Sequence, residues 1–520
     1  MTEREINKRG PQLEVYDTTL RDGAQGVGVD FSLEGRLRVA RIIDTTLPVT
    51  GIEGGWPGAN PTHTAFFERA QDEPFHPRLY AFGMTKKAGI HVESDQNIRN
   101  LIDSKAPGIT LVGKSSRQQV EKTLNRVSPE ENLDMIRESV AYTKEQPHVE
   151  RVIYDAEHFF DGFKGDGKYA IDTLYAAAEG GADGVVLCDT NGRALHREIH
   201  EVTKIIANDP ALHQKYREAQ GLTDSTTKMT IGIHAHKDRS SAEANSLEAV
   251  YAGATHVQVT VNGFGERVGN TDAIPMMLNL QSEGYLQIPA EMQAGFTDLS
   301  RIVFDAAGVH QNPNQPVTGD NAGRSAAGMH TAAVARDRLA YSWMDLKKVG
   351  NTIRVSVDEN AGSAGVQMKM KEYGENITRE QAAQIANTVK EKSAKGYRYG
   401  EADASVYLLA KQIIDPQYQS PYAGLDHTQF GKTEYTNTLF NKIRTTLGKQ
   451  YLQVEKVSMI SEKTQTENGT IKRVFVTATD GQNRWTTVGV GETFDSARLE
   501  ATKESLEYAL CLKVSEETQQ

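Results

Sequence analysis

A chain of 520 residues, 38% hydrophobic and 24% charged, is too long for a single hydrophobic core and too rich in apolar runs to be disordered, so two or three domains are expected. A formal charge of -11, from 58 basic and 69 acidic residues, disfavours nucleic acid or an anionic membrane as partner. Cys188 and Cys511 are too few and too far apart for a disulfide framework or a cysteine zinc cluster. With a polar N-terminal stretch and no run near the roughly 18 apolar residues of a membrane span, a cytoplasmic protein without membrane contact is expected.

From residue 13 to about 290, short apolar runs alternate with longer amphipathic segments. The runs at 13–17, 50–54, 79–83, 109–113, 151–155, 184–189, 229–236 and 256–261 read as strands. Helical periodicity fills the intervals, as at 33–47 (Leu37, Ala40 and Ile43 on one face), 132–143, 171–181 and 242–253. Eight strand–helix alternations predict an α/β fold, a (β/α)8 TIM barrel over 13–290, with an open sheet as the alternative.

Residues 291–430 turn helical and irregular, with Asn-Pro-Asn-Gln-Pro at 312–316 and a Gly/Ala-rich stretch at 319–330. They predict a mainly helical linker or lid subdomain with helices at 381–393 and 404–414. Over 431–515 a helix at 434–447, strands near 452–459, 470–479 and 483–490 and a helix at 494–512 predict a small α+β C-terminal domain. Asn468-Gly and Asp480-Gly fall where its hairpins turn.

Polar residues gather just after the barrel strands: Arg21 and Asp22, Glu53, Lys114, Glu157, Asp189 and Thr190, His234 and His236, Asn262 with Glu266 and Arg267. The strand ends of such a barrel hold its active site. In Ile231-Gly-Ile-His-Ala-His-Lys-Asp238 the two histidines are two residues apart and face the same side of a strand. They read either as metal ligands or as hydrogen-bonded strand residues; a nearby carboxylate favours the metal.

The blocks Tyr16-Asp-Thr-Thr-Leu-Arg-Asp-Gly-Ala-Gln25, Ile52-Glu-Gly-Gly-Trp-Pro-Gly-Ala-Asn-Pro61, Ile153-Tyr-Asp-Ala-Glu-His-Phe-Phe-Asp-Gly162, Leu187-Cys-Asp-Thr-Asn-Gly192, Gly232-Ile-His-Ala-His236 and Val261-Asn-Gly-Phe-Gly-Glu-Arg-Val-Gly-Asn270 carry a resemblance. In this order they resemble the 2-isopropylmalate, homocitrate and citramalate synthase family, nearest its long-form citramalate branch. The resemblance implies Claisen-type condensation of acetyl-CoA with a 2-oxo acid, pyruvate by default, by an acyltransferase active as a homodimer. It implies a divalent metal (Mn²⁺, Mg²⁺ or Zn²⁺) on Asp22, His234 and His236, with Asn270 as a further or water-mediated ligand. Arg21 would stabilise the oxyanion and Thr190 orient the substrate carboxylate, with Gln25 and Thr260 also on the substrate. His330 and Tyr341 would enolise acetyl-CoA, and Glu157 is the acid/base on the barrel.

Several positions depart from the pattern. Lys237 stands where the family has asparagine, and Arg193 where it has glycine. Gln119 replaces a histidine, Val259 replaces a glycine, and Ser325-Ala-Ala-Gly-Met-His330 lacks the family's first histidine and lysine. Lys237, read as substrate-binding, and Arg193 together suggest a larger or more anionic 2-oxo acid, as in alkylmalate synthesis of specialised metabolism. Room for only one of the family's two C-terminal repeats predicts dimerisation with weak or absent feedback by isoleucine or leucine. A metal-dependent aldolase or lyase and a non-catalytic paralogue are the readings from other classes. The linker with His330 and Tyr341 disfavours the first, and intact Asp22, His234, His236 and Glu157 the second.

Overall fold

The computed structural model describes residues 13–124, 127–325, 330, 333–334, 336–337, 339–425, 437–446, 454–466, 469–481 and 483–519. Eight parallel strands, β1 (Glu14–Asp17), β2 (Gly51–Gly55), β3 (Arg78–Met84), β4 (Gly108–Lys114), β5 (Arg151–Glu157), β6 (Gly184–Asp189), β7 (Thr230–Ala235) and β8 (His256–Val259), close in sequence order into a barrel. Closure is made by β8 pairing with β1, Val257 beside Val15. The expected barrel is therefore present. Its strands are buried on both faces, which is why they read as apolar runs rather than alternating ones.

The helices follow from caps and periodicity. Ser32 accepts from the Gly35 backbone N–H to start Leu33–Thr46, which buries Leu37, Ala40 and Ile43. Ser128 caps Pro129–Lys144, and proline in the first turn costs no hydrogen bond there.

Inside the barrel the rings of Tyr16 and Tyr80 meet edge to face at 4.9 Å, packed with Ile153, Val186 and Cys188. Two strand glycines make room for Tyr80: a Cβ at Gly51 would stand 2.7 Å from its ring and one at Gly108 2.4 Å.

The chain divides into two compact units, Met1–Ala322 with Lys347–Asn351, and Gly323–Leu346 with Thr352–Gln520. In the first, helix Phe296–Ala306 buries Phe296, Leu299 and Val303, and Arg38 reaches Asp305 at 3.0 Å. In the second, helices Ser363–Glu372, Arg379–Ala394 and Asp403–Ile414 precede an antiparallel sheet of Glu455–Thr466, Gly469–Thr479 and Arg484–Gly491. The long helix Phe494–Gln519 adds Leu506 and Tyr508 to a core with Val474, Val476 and Trp485. The turn at Asp480 uses the left-handed backbone of Gly481 (φ 94°), whereas Asn468 lies outside the described residues. Of the expected helix 434–447, Asn437–Thr446 is helical and the remainder lies outside them too. Among the described residues no helix is long and apolar enough to cross a membrane.

Candidate metal centre and substrate cavity

At the C-terminal end of the barrel, His234 on β7 and His236 just beyond it bring their Nε2 atoms to 3.2 Å. His234 Nε2 lies 3.3 Å from Asp22 Oδ2, and ligand atoms of all three residues fall within 4.8 Å of one another. Asp22 reaches this point because the turn after β1 folds back on itself, its N–H donating to the Thr18 carbonyl at 2.9 Å. All three side chains are buried.

Asn270 bridges His236 across the backbone, and both its side-chain polar atoms are buried without a partner, as is Asp22 Oδ1. A buried polar atom left unpaired costs about 1–3 kcal/mol. Orphaned oxygen atoms beside two convergent imidazoles fit a divalent cation with mixed oxygen and nitrogen ligands.

The charges agree. Burial would raise the Asp22 carboxyl, but Arg21 and the two histidines hold it well below the usual carboxylate range. Burial and neighbouring His234 push His236 down to about 3, so its ring is neutral.

Arg21 is buried, not a surface charge. Its Nε donates to Glu53 at 2.5 Å, its Nη1 to Asp22 at 2.8 Å, and its guanidinium lies 3.9 Å over the Phe82 ring. Glu53 also accepts from Tyr16 at 2.9 Å and Thr18 at 2.5 Å, so this β2 carboxylate is held from β1 and the turn that follows it. Behind them buried Arg36 grips main chain, donating to the carbonyls of Leu20 at 2.6 Å and Gly54 at 3.4 Å. Its third contact is His63, 2.6 Å away, whose ring burial and the guanidinium push down to about 4, making it a neutral acceptor.

Over this floor lies a cavity of about 250 Å³ walled by Arg21, Gln25, Phe82, Glu157, Cys188 and Thr190 among others. A larger cavity of about 670 Å³ shares Trp56, Met84, Val112, Lys114 and Glu157 with it. Glu157 pairs with Lys114 at 2.5 Å on this common wall. Thr190 Oγ accepts from the His158 N–H at 2.8 Å, His158 standing in the left-handed region at φ 60°. Accepting there leaves the hydroxyl its own proton to donate, and Thr190 lines the cavity.

Other expected residues are placed elsewhere. Lys237 turns to Glu243 at 2.9 Å, under Gly263, and Arg193 pairs with Asp161 at 3.2 Å; neither walls the cavity. The alternation that puts His234 and His236 on one side of the strand sends Lys237 to the other. Both expected cations are thus held by carboxylates away from this cavity's wall. Thr260 is buried and donates to the Phe264 carbonyl at 2.6 Å, tying its own loop rather than lining the cavity. His330 and Tyr341 lie in the second unit with ring centroids 4.2 Å apart.

Asp155 and Gln258 carry the site from beneath and were not singled out from the sequence. The signals were there: Asp155 shares a strand face with Glu157, and Gln258 is polar within an apolar strand. Burial and the nearby Glu53 carboxylate push Asp155 up to about 7.

The HMGL-like family model matches residues 12–303, and a homocitrate synthase post-HMGL domain-like model matches 317–397. The chain is similar to an (R)-citramalate synthase of Aquifex aeolicus, 36% identical across 96% of this chain and 98% of that protein. The same identity links it to an (R)-citramalate synthase of Streptomyces coelicolor, across 96% of both chains. A homocitrate synthase of Methanopyrus kandleri is 31% identical across 78% of this chain and 93% of its own.

Proposed function

Because this chain belongs to the HMGL-like family, and within it to the citramalate synthases, we propose that it condenses acetyl-CoA with pyruvate to give citramalate and free CoA. The observation that carries the reading is the buried Asp22–His234–His236 cluster opening onto a small cavity beside a fixed guanidinium.

Asp22, His234 and His236, with Asn270, would hold a divalent cation, which would supply Lewis-acid polarisation of the 2-oxo acid's carbonyl. Arg21, immobilised by Glu53 and Asp22, places positive charge where the keto oxygen becomes negative, with no reorganisation needed at the moment of reaction. The Thr190 hydroxyl donates to the substrate carboxylate, and Gln25 lines the same cavity. A cavity of about 250 Å³ suits a three-carbon acid better than a long-chain one.

The acyl-CoA arm is assigned to the larger neighbouring cavity, which brings the thioester to the shared wall at Glu157. A base takes one methyl proton of acetyl-CoA, the enolate carbon attacks the keto carbon, and the new alkoxide is protonated. Water then cleaves the thioester to release CoA. His330, with Tyr341 against its ring, is assigned the methyl proton, and Glu157, held by Lys114, the proton on the new hydroxyl. A homodimer is proposed as the working form, and millimolar isoleucine is expected to leave turnover unchanged.

The test follows CoA release from acetyl-CoA and Mn²⁺ with a panel of 2-oxo acids, identifying the product by mass. Pyruvate should give the highest catalytic efficiency and a citramalate mass. Preference for another acid, or no CoA release, overturns the reading.

A further inference from the structure

One of the two imidazoles is aimed from behind. β7 and β8 run side by side with Ile233 opposite Val257, so the next positions bring His234 beside Gln258. Gln258 is buried and uses both ends of its amide. Its Nε2 lies 3.0 Å from Asp155 Oδ1, and its Oε1 lies 2.7 Å from His234 Nδ1. Gln258 Nε2 donates to Asp155 Oδ1, and an ionised Asp155 can only accept, so the amide turns its NH2 end towards it. The carbonyl left facing His234 cannot donate, so His234 Nδ1 carries the proton and its Nε2 is bare. That bare nitrogen is the atom beside Asp22 and His236. Among the described residues His236 has no such support, because its Nδ1 is buried without a partner.

We propose that Gln258, oriented by Asp155, is a positioning residue that fixes the tautomer and ring plane of His234 so that its Nε2 lone pair faces the cation. This rests on reading Asp22, His234 and His236 as metal ligands. The two histidines are then unequal: one is set before the cation arrives and the other adapts to it.

The experiment is calorimetric titration of the metal-free, full-length protein with Mn²⁺ alone, beside Asp22→Ala. Wild type should bind and Asp22→Ala should not. Failure of wild type to bind overturns the metal reading itself. Gln258→Met keeps the shape without the hydrogen bonds and should weaken Mn²⁺ binding by about 10–100-fold. Gln258→Glu, sharing one proton with Asp155, still presents an acceptor to Nδ1 and should recover most of that loss. Wild type binding with a folded Gln258→Met equally tight, or Gln258→Glu as weak as Gln258→Met, overturns the positioning role alone. Should Gln258→Met fail to fold, Asp155→Asn reads the same device, since an amide there no longer dictates which end of Gln258 faces it. Unchanged affinity in that variant overturns the proposal. Nitrogen-15 spectra of the imidazoles supply a readout that mere packing would not move. One histidine should be locked as Nδ1–H in wild type and Gln258→Glu and released in Gln258→Met.

Discussion

The barrel mouth and the last helix both take carboxylates out of water, and they do so by opposite means. At the mouth, Asp22 and Glu53 share one guanidinium, and Asp22 stays ionised. On helix Phe494–Gln519, Glu500, Glu504 and Glu507 recur along one face and meet hydroxyl groups. Tyr397 donates to Glu500 at 2.6 Å, Tyr418 to Glu507 at 2.9 Å, and Ser405 to Glu504. Burial, with Glu500 and Glu507 alongside, pushes Glu504 up to about 8. A cation keeps the buried Asp22 charged and ready for a metal, whereas at Glu504 burial beside two other carboxylates outweighs the Ser405 hydroxyl and favours the neutral acid. Charge is thus kept where chemistry needs it and removed where only structure does.

The largest break in this contrast comes from removing the charged floor. Asp22→Ala or His234→Ala should lower CoA release by more than about a thousandfold, the several kcal/mol expected of Lewis-acid polarisation. Next comes Arg21→Met, which strands Glu53 in the barrel. A broken buried pair costs about 3–5 kcal/mol, read as a fall in the first unit's unfolding free energy in urea. A smaller effect sharpens the other side. Glu504 is raised from 4.5 to about 8, so the folded chain holds a proton that the unfolded chain gives up. That contribution is complete below pH 4.5 and is lost as pH climbs through about 8. Glu504→Gln should therefore flatten the decline in the second unit's melting temperature between about pH 5 and about pH 9. Smallest is Lys237→Asn: Lys237 pairs with Glu243 in a half-buried contact that does not wall the cavity, so the ranking of 2-oxo acids in the CoA-release assay should stay the same.

The sequence shows the barrel plainly because parallel strands covered on both faces leave uninterrupted apolar runs, and the observed strands begin and end within a few residues of those runs. The histidine pair is equally plain, since period-two spacing is a local property. What hid was whatever depends on a neighbour distant in the chain. Gln258 gains its meaning from Asp155, 103 positions earlier, and Glu53 from Tyr16 on the adjoining strand and Arg21 in the turn after it. Lys237 is the instructive case, because its direction follows from the same alternation that made His234 and His236 a pair. Nearness to the histidines in sequence is not by itself nearness to the cavity in space.

Arg36 ties the loop after β1 to strand β2 by the carbonyls of Leu20 and Gly54, and a main-chain carbonyl is the same whatever side chain its residue carries. Anchoring of this kind is blind to spelling. The grip on Arg21, Asp22 and Glu53 asks nothing of the side-chain chemistry at the two anchored positions, which packing alone restricts: Leu20 is fully buried and a Cβ at Gly54 would stand 2.4 Å from the Phe66 ring. Arg36 itself has no such latitude.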